Sequence, residues 1–273
     1  MNSVINLGEK GIPKNKILTR KLPDIPDFRY LLRLSSEPDP QRVLVVVHGI
    51  SRQPAYMLRC LESAAQALNY TLIAPEFSKW SYRDYQRLGR EGRGYRADIA
   101  FDAMMDDVAK FTGLKGPVHL LGFSGGAQFV HRYVYSQPGK VRSLCVAAAG
   151  WYTPPLSSER FPYGTRTNKR LQGVSFDANN LISTPTLTVV GENDTNRDPA
   201  MRRSPCIDKQ QGINRLKRAQ WFHQRMKKLA AKKSIDTNHQ FKILPATGHN
   251  FGEAVLLGGL TDVVFNFCED NVR

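Results

Sequence analysis

The stretch Val118-His119-Leu120-Leu121-Gly122-Phe123-Ser124-Gly125-Gly126 decides the fold that this sequence predicts. An apolar run typical of a buried strand leads directly into the pattern Gly-x-Ser-x-Gly, and a helix is predicted from about Ala127. The pattern is typical of a nucleophile elbow, a strained strand-to-helix turn that holds a serine hydroxyl above the edge of a sheet. Gly122 and Gly126 have a steric reason to be glycine, because side chains there would collide across the turn.

The motif alone is weak, since at average glycine and serine usage a chain of this length carries one by chance about one time in ten. Its context strengthens it, because strands and helices are predicted to alternate along the chain. We therefore predict an α/β fold with a mostly parallel sheet that is covered by helices on both faces. Besides the strand of the elbow, strands are predicted at 28–34, 42–47, 71–75, 141–149, 186–190 and 241–244, and helices at 54–68, 97–111, about 127–136, about 213–233 and the C-terminus.

No internal repeat and no linker divides the chain, so residues 1–273 are predicted to form a single domain. Residues 1–28 are polar and interrupted by proline, which predicts an N-terminal arm or an edge structure. Residues 150–183 carry several prolines and glycines with little periodicity, which predicts a short cap-like insertion after the sixth strand.

The chain is strongly basic, with 39 Lys and Arg against 24 Asp and Glu and a formal net charge of +15. Such a field attracts anionic partners, among them acidic substrates, phospholipid surfaces and nucleic acid. Much of the excess lies in the helix predicted at about 213–233, which includes Arg215 and Arg218. A solvent-facing role for this charge is the favoured interpretation, and no nucleic-acid partner is expected. The sequence makes no prediction of the oligomeric state.

Several function classes lack their sequence signatures. No P-loop, dinucleotide fingerprint or His/Cys metal cluster occurs, so neither a cofactor nor a metal is expected. No run of eighteen apolar residues occurs, so no membrane span is expected. The N-terminus lacks the apolar segment of a signal peptide, which predicts a cytoplasmic protein and leaves secretion open if a leader has been removed.

Three residues follow predicted strands in the order that acyl-transfer chemistry requires. Serine is a weak nucleophile unless a base takes its proton, and the base needs an acid that orients it. Ser124, Asp194 and His249 supply a nucleophile, an acid and a base in this order, each after a different strand. The carboxyl ends of parallel strands share one edge, so these side chains can meet. Asp198 remains an alternative acid, and Asp177 a more distant one.

Such chemistry also needs hydrogen-bond donors for the developing oxyanion. The candidates are the backbone N–H of Gly125, directly after the serine, and the N–H of Ile50 in the loop after the first buried strand. His48 precedes the nucleophile and is predicted to hold that loop rather than to act as the base.

Four motifs together resemble the α/β-hydrolase fold superfamily: His48-Gly49, Gly122-Phe123-Ser124-Gly125-Gly126, Gly191-Glu192-Asn193-Asp194 and Gly248-His249. They span about 200 residues. The resemblance implies a metal-free serine hydrolase, usually an esterase or lipase. Within the superfamily, the sequence is similar to the feruloyl esterase and polyhydroxyalkanoate depolymerase branch. The short segment after the sixth strand departs from lipases that carry a large lid.

The expected substrate is a small-molecule ester, and an anionic or aromatic group on it is one candidate feature. Trp80, Tyr82, Trp151 and Tyr152 are candidate substrate-binding residues at the border of the cleft, and covering the core is an equal alternative. An arginine run could attract a carboxylate or phosphate, although a solvated or locally paired role is more common for such a loop; its members are Arg83, Arg87, Arg90, Arg93 and Arg96.

A triad of serine, acid and histidine, such as Ser124, Asp194 and His249 are predicted to form, also serves thioesterases, amidases and acyltransferases. A protein of another class, a basic binding module that keeps the fold while its serine stays idle, is a further alternative. Salt-dependent binding to an anionic partner without esterase activity would support that interpretation.

Overall fold

The apolar runs of the sequence form one sheet in the computed structural model, which describes residues 12–167 and 169–272. Within these residues the sheet has eight strands: β1 (Ile17–Lys21), β2 (Phe28–Arg33), β3 (Val43–Val47), β4 (Thr71–Phe77), β5 (Val118–Phe123), β6 (Val141–Ala147), β7 (Thr186–Gly191) and β8 (His239–Leu244). Their order in the sheet is β1-β2-β4-β3-β5-β6-β7-β8. Strands β3 to β8 are parallel to one another, whereas β2 is antiparallel to both β1 and β4.

Helices cover both faces of this sheet and bury its two apolar surfaces. Alternate residues of β3 show the arrangement, since Val45 packs on one face and Leu44 on the other, as the two-residue period of a strand requires. The helices are α1 (Pro54–Ala67), α2 (Ala97–Thr112), α3 (Gly125–Val134), α4 (Ala178–Ser183), α5 (Pro205–Gln211), α6 (Arg215–Lys232), α7 (Phe251–Leu256) and α8 (Leu260–Glu269). One face of the sheet packs against α2, α3, α4 and α6, and the other against α1, α7 and α8.

The predicted α/β fold with a mostly parallel sheet is confirmed, and the structure adds elements that the sequence did not predict. Strand β1 lies at the antiparallel edge, within the segment predicted as an arm or an edge structure, of which residues 1–11 lie outside the described part of the chain. Short elements at 85–87 and 205–211 lie in predicted loops, and the predicted C-terminal helix is divided into α7 and α8. The interruption follows from Gly258 and Gly259, which lie between the two helices.

The carboxyl ends of the parallel strands bring their following loops to one edge of the sheet. The loops after β3, β5, β7 and β8 carry the residues singled out in the sequence. Among the described residues, no helix is both long enough and apolar enough to cross a bilayer.

Candidate active site

Ser124 lies at the sharp turn between β5 and α3. Its backbone has φ 54° and ψ −110°, a conformation that costs energy for any residue with a Cβ. A methyl group added at Gly122 would lie 2.5 Å from the backbone of Gly126, and one added at Gly126 would lie 2.0 Å from the carbonyl oxygen of Val47. Strand, turn and helix therefore approach so closely that neither position admits a side chain.

The structure brings Ser124, His249 and Asp194 into one hydrogen-bonded chain. The Oγ of Ser124 lies 3.0 Å from Nε2 of His249, and Nδ1 of His249 lies 2.7 Å from Oδ2 of Asp194. A carboxylate can only accept, so Nδ1 carries the proton and Nε2 is free to accept from the serine hydroxyl. Asp194 is 2% exposed, while the side chain of His249 keeps 23% of its surface accessible.

The two acidic candidates after β7 have different partners. Asp194 contacts His249 through one carboxylate oxygen, and its other oxygen lies 3.3 Å from a guanidinium nitrogen of Arg215. Asp198 instead lies 2.5 Å from the same nitrogen of Arg215, whose hydrogen bond lowers the pKa of Asp198. Asp177 caps α4 by accepting from the backbone N–H of Asn179. Of the three candidates, the geometry therefore favours Asp194 as the acid.

The loop after β3 lies against the elbow. A methyl group added at Gly125 would lie 3.1 Å from the side chain of Ile50 and 2.8 Å from Nε2 of Gln86. One added at Gly49 would lie 3.4 Å from Cβ of Ser124. The two backbone amides predicted as oxyanion donors thus belong to segments in direct contact beside the serine.

Buried hydrogen bonds hold this loop in place. Nδ1 of His48 donates to the carbonyl of Gly49 at 2.8 Å, and Nε2 accepts from the backbone N–H of Phe77 at 3.1 Å. Burial lowers the pKa of His48 to about 4, so its ring stays neutral near pH 7. The hydroxyl of Tyr85 donates to the carbonyl of His48 at 2.9 Å. His48 holds the loop, as predicted from its position, and Tyr85 is a support that the sequence did not indicate.

A pocket of about 380 Å³ opens beside Ser124 and His249. Ile50, a predicted site residue, also lines it. Phe123 stacks on the ring of His249 with a centroid distance of 5.4 Å. Most of the lining was missed by sequence reasoning, although each residue lies within a few positions of a predicted post-strand loop. The additional lining residues include Gln53, Tyr56, Met57, Ala200, Asn250 and Phe251.

The aromatic residues predicted at the border of the cleft do not line this pocket. Tyr82, Trp151 and Tyr152 are almost completely buried, while Trp80 is 77% exposed and borders a separate groove beside β2. Tyr152 stacks on Phe222 of α6, with ring centroids 4.2 Å apart. Tyr82 and Tyr152 belong to the apolar core, which supports the alternative interpretation for these two, whereas Trp151 packs against the guanidinium groups of Arg132 and Arg202. Large aromatic surfaces gain more from burial under the loops than from exposure in an open cleft.

The arginine run is mostly paired locally. Arg90 and Arg87 lie 2.7 and 3.3 Å from the carboxylate of Asp84, and Arg96 lies 2.5 Å from that of Asp98. Arg83 is exposed. In the described part of the chain, no group of three or more His, Cys, Asp or Glu residues is arranged to hold a metal ion.

A mostly parallel sheet with a serine at its strand-to-helix elbow defines a serine hydrolase of the α/β-hydrolase superfamily, which confirms the resemblance seen in the sequence. The family model of the serine hydrolase FSH1 matches residues 51–206, more than half of the chain, and the chain belongs to this family. No curated protein sequence matches the chain significantly.

Many solved structures share the fold. The poly(3-hydroxybutyrate) depolymerase LpqC of Bordetella parapertussis is 25% identical, with 88% of this chain and 85% of that chain covered and a TM-score of 0.71. Poly(aspartic acid) hydrolase-1 of Sphingomonas sp. KT-1 is 22% identical over 93% and 100% of the two chains, with a TM-score of 0.76. A ferulic acid esterase is 15% identical over 94% and 98%, with a TM-score of 0.61.

Proposed function

We propose that this serine hydrolase cleaves carboxylic ester bonds through a covalent acyl-enzyme. Ser124 is the nucleophile, His249 the general base and acid, and Asp194 the residue that orients the imidazole and stabilises its charged form. The backbone N–H groups of Ile50 and Gly125 are the oxyanion donors. The observation that carries the proposal is the continuous contact from Ser124 through His249 to Asp194.

The reaction begins when Oγ of Ser124 attacks the ester carbonyl while Nε2 of His249 takes the hydroxyl proton. The negative charge moves to the carbonyl oxygen, which the two amides stabilise. Collapse of this intermediate breaks the bond to the alcohol, which leaves with the proton from His249. A water molecule then gives its proton to His249 and attacks the acyl carbon. The acid is released, and the proton returns to Ser124.

The pocket beside the serine is consistent with a small acyl or alcohol group. Its volume of about 380 Å³ is at the lower end of ligand pockets, and Met57, Phe123 and Phe251 give it an apolar wall. The same three residues can also cleave thioesters and amides or transfer the acyl group to an acceptor other than water. A direct comparison of substrates therefore decides the bond type.

The central test compares the wild type with Ser124→Ala. We expect the substitution to lower kcat/KM for p-nitrophenyl esters by about 1,000-fold or more and to abolish labelling by a fluorophosphonate, as read by mass spectrometry. Ser158→Ala, at an exposed serine, is the matched control and should keep the wild-type rate and the label on Ser124. Wild-type rates in Ser124→Ala, or a label on another serine, would remove Ser124 as the nucleophile.

The bond type is tested with an ester, a thioester and an anilide that share one acyl group. The proposal requires the highest kcat/KM for the ester. A higher value for the thioester or the anilide would leave the nucleophile in place and replace the ester assignment.

A further inference from the structure

Arg132 is a fully buried cation whose hydrogen-bond partners are neutral. It is 0% exposed and lies on α3. It donates to the carbonyl of Gln86 at 2.6 Å, to the hydroxyl of Thr153 at 2.9 Å and to the side-chain oxygen of Gln128 at 3.3 Å. Its second terminal nitrogen is buried and meets no acceptor among the described residues. A buried N–H donor without an acceptor costs free energy, and a ligand that supplies an acceptor removes that cost.

Two more arginines lie nearby, and Arg87, Arg132 and Arg202 are called the arginine cluster below. One of them, Arg87, shares the carboxylate of Asp84 with Arg90. Burial, and then the positive charge of Arg87, lower the pKa of Arg132 well below its usual value. Burial also lowers the pKa of Arg87, and the charges of Arg90 and Arg202 contribute. The cluster thus holds more positive charge than its surroundings compensate.

The cluster is accessible from solvent on one side. Arg202 is exposed, and the side chain of Arg87 is 25% exposed. The ring of Trp151 lies beside two members of the cluster, with its centroid 4.4 Å from Cζ of Arg132 and 5.9 Å from Cζ of Arg202. Arg202 also donates to the hydroxyl of Tyr163 at 2.6 Å. A ligand can therefore reach Arg87 and Arg202 from solvent, whereas Arg132 is fully buried.

The cluster adjoins the candidate active site. Arg132 follows Ser124 by eight residues on one helix, which separates their Cα atoms by about 12 Å. The side chain of Arg132 points back along the helix, since its Nη1 lies 3.3 Å from Oε1 of Gln128, four residues earlier. Gln86 joins the two regions, because its carbonyl accepts from Arg132 and its amide nitrogen lies against Gly125. Neither Gln86 nor any arginine of the cluster lines the apolar pocket, so the cluster and the pocket are separate regions.

We propose that the arginine cluster is a subsite for an anionic group, a carboxylate or a phosphate, carried by the substrate several atoms away from the scissile ester. Guanidinium groups match both anions through paired N–H donors. The inference rests on the proposed function and narrows it: the apolar pocket takes one part of the ester, and the arginine cluster takes its charged end.

The first test measures kcat/KM for paired substrates of equal length. Monoesters of succinate, glutarate, adipate and suberate with p-nitrophenol are compared with uncharged alkanoate esters, which places the anion on the acyl side. Butyrate esters of hydroxyalkanoic acids and of hydroxyalkyl phosphates, compared with those of plain alcohols, place it on the alcohol side. We expect an anionic member to be preferred by about tenfold or more in at least one set. Equal or lower values for every anionic member would overturn the proposal.

The second test removes one charge at a time. Arg87→Gln and Arg202→Gln should each reduce the ratio of anionic to uncharged kcat/KM at least fivefold, mainly through KM, and Arg202→Lys should recover part of it. Arg83→Gln, in the same loop and with the same charge change, is the control and should keep the ratio. If Arg83→Gln lowers the ratio as much as the other two do, the effect comes from the general field of the protein and the subsite is excluded.

A binding measurement separates the subsite from the chemistry. Calorimetric titration of Ser124→Ala with glutarate and with inorganic phosphate, at constant ionic strength, should show saturable binding that Arg202→Gln weakens. The anion that binds more tightly identifies the charged group. Binding without hydrolysis of any ester would retain the subsite and remove the proposed function. Ester hydrolysis with no binding and no anionic preference would do the reverse.

Discussion

Arg215 connects the first turn of α6 to both carboxylates that follow β7. Its side chain and that of Asp194 are each 1% exposed, and one guanidinium nitrogen contacts Asp194 and Asp198. Removing one partner of a buried ion pair leaves the other charge uncompensated, which is more costly than the pair itself. Arg215 is therefore a positioning residue, which fixes the carboxylate that contacts His249.

We expect Arg215→Met to lower the free energy of unfolding by about 3 kcal/mol and to reduce kcat/KM at least tenfold. Because the loss comes from a misplaced imidazole rather than from weaker substrate binding, we expect it to appear mainly in kcat. Urea unfolding and steady-state kinetics measure these effects. Arg215→Lys should recover part of both, and Lys228→Met, at an exposed position of the same helix, should change neither. A wild-type kcat in Arg215→Met would contradict the positioning role.

At the scale of elements, the basic residues of α6 have two different roles, one at the solvent-exposed face and one in buried contacts. The sequence alone does not show which residue has which role. Lys217, Lys227 and Lys228 are exposed, as expected for a solvated face. Arg215 and Arg218 are buried, contrary to that expectation. Arg218 bonds the carbonyls of Gly150, Arg202 and Gly212 and the carboxylate of Asp208. The helix thereby fastens the loops after β6 and β7, so its start must be well defined.

Asn214 defines that start as the N-cap of α6. Its side-chain oxygen accepts from the backbone N–H of Lys217 at 2.9 Å. We expect Asn214→Ala to cost about 1 kcal/mol of stability, since one helix N–H loses its partner, and Asn214→Ser to cost much less. Urea unfolding of both variants checks the difference. Equal stability of Asn214→Ala and the wild type would show that the cap contributes nothing to the fold.

At the scale of the whole molecule, two buried neutral histidines outside the Ser124–His249–Asp194 chain make stability depend on pH. Burial lowers the pKa of both His48 and His119 to about 4. In the unfolded chain an imidazole titrates near pH 6.5, so below that value the unfolded state binds more protons than the folded state. The stability contributed by these residues is complete above about pH 6.5 and is lost as the pH falls towards 4.

We therefore expect the free energy of unfolding to fall by about 2 kcal/mol for each of these histidines between pH 7 and pH 5. Urea unfolding at pH 7, 6 and 5 measures the slope. His119→Gln, which replaces a ring bonded to Ser143 and to the carbonyl of Gln41, should have a smaller slope than the wild type. Stability that does not change over this range would show that the buried rings accept protons without cost.

Much of the fold could be predicted because its signals are local. Short β-branched runs, helical spacing and the glycines of the elbow each act within a few residues, and they indicate the strands and helices in their order along the chain. The antiparallel edge was the exception. Strand β1 is short, polar and half exposed, and it becomes a strand only because β2 offers it a hydrogen-bonding edge.

The sequence by itself determined the class of fold, the elbow at Ser124 and the placement of Ser124, Asp194 and His249 after different strands, because parallel strands bring their following loops to one edge. Only the tertiary structure decided which acid contacts His249, which aromatic residues are core and which side chains line the pocket. It alone brought Arg132 and Arg202 together at the ring of Trp151. These contacts link residues far apart in sequence, and packing, rather than local preference, determines which of them meet.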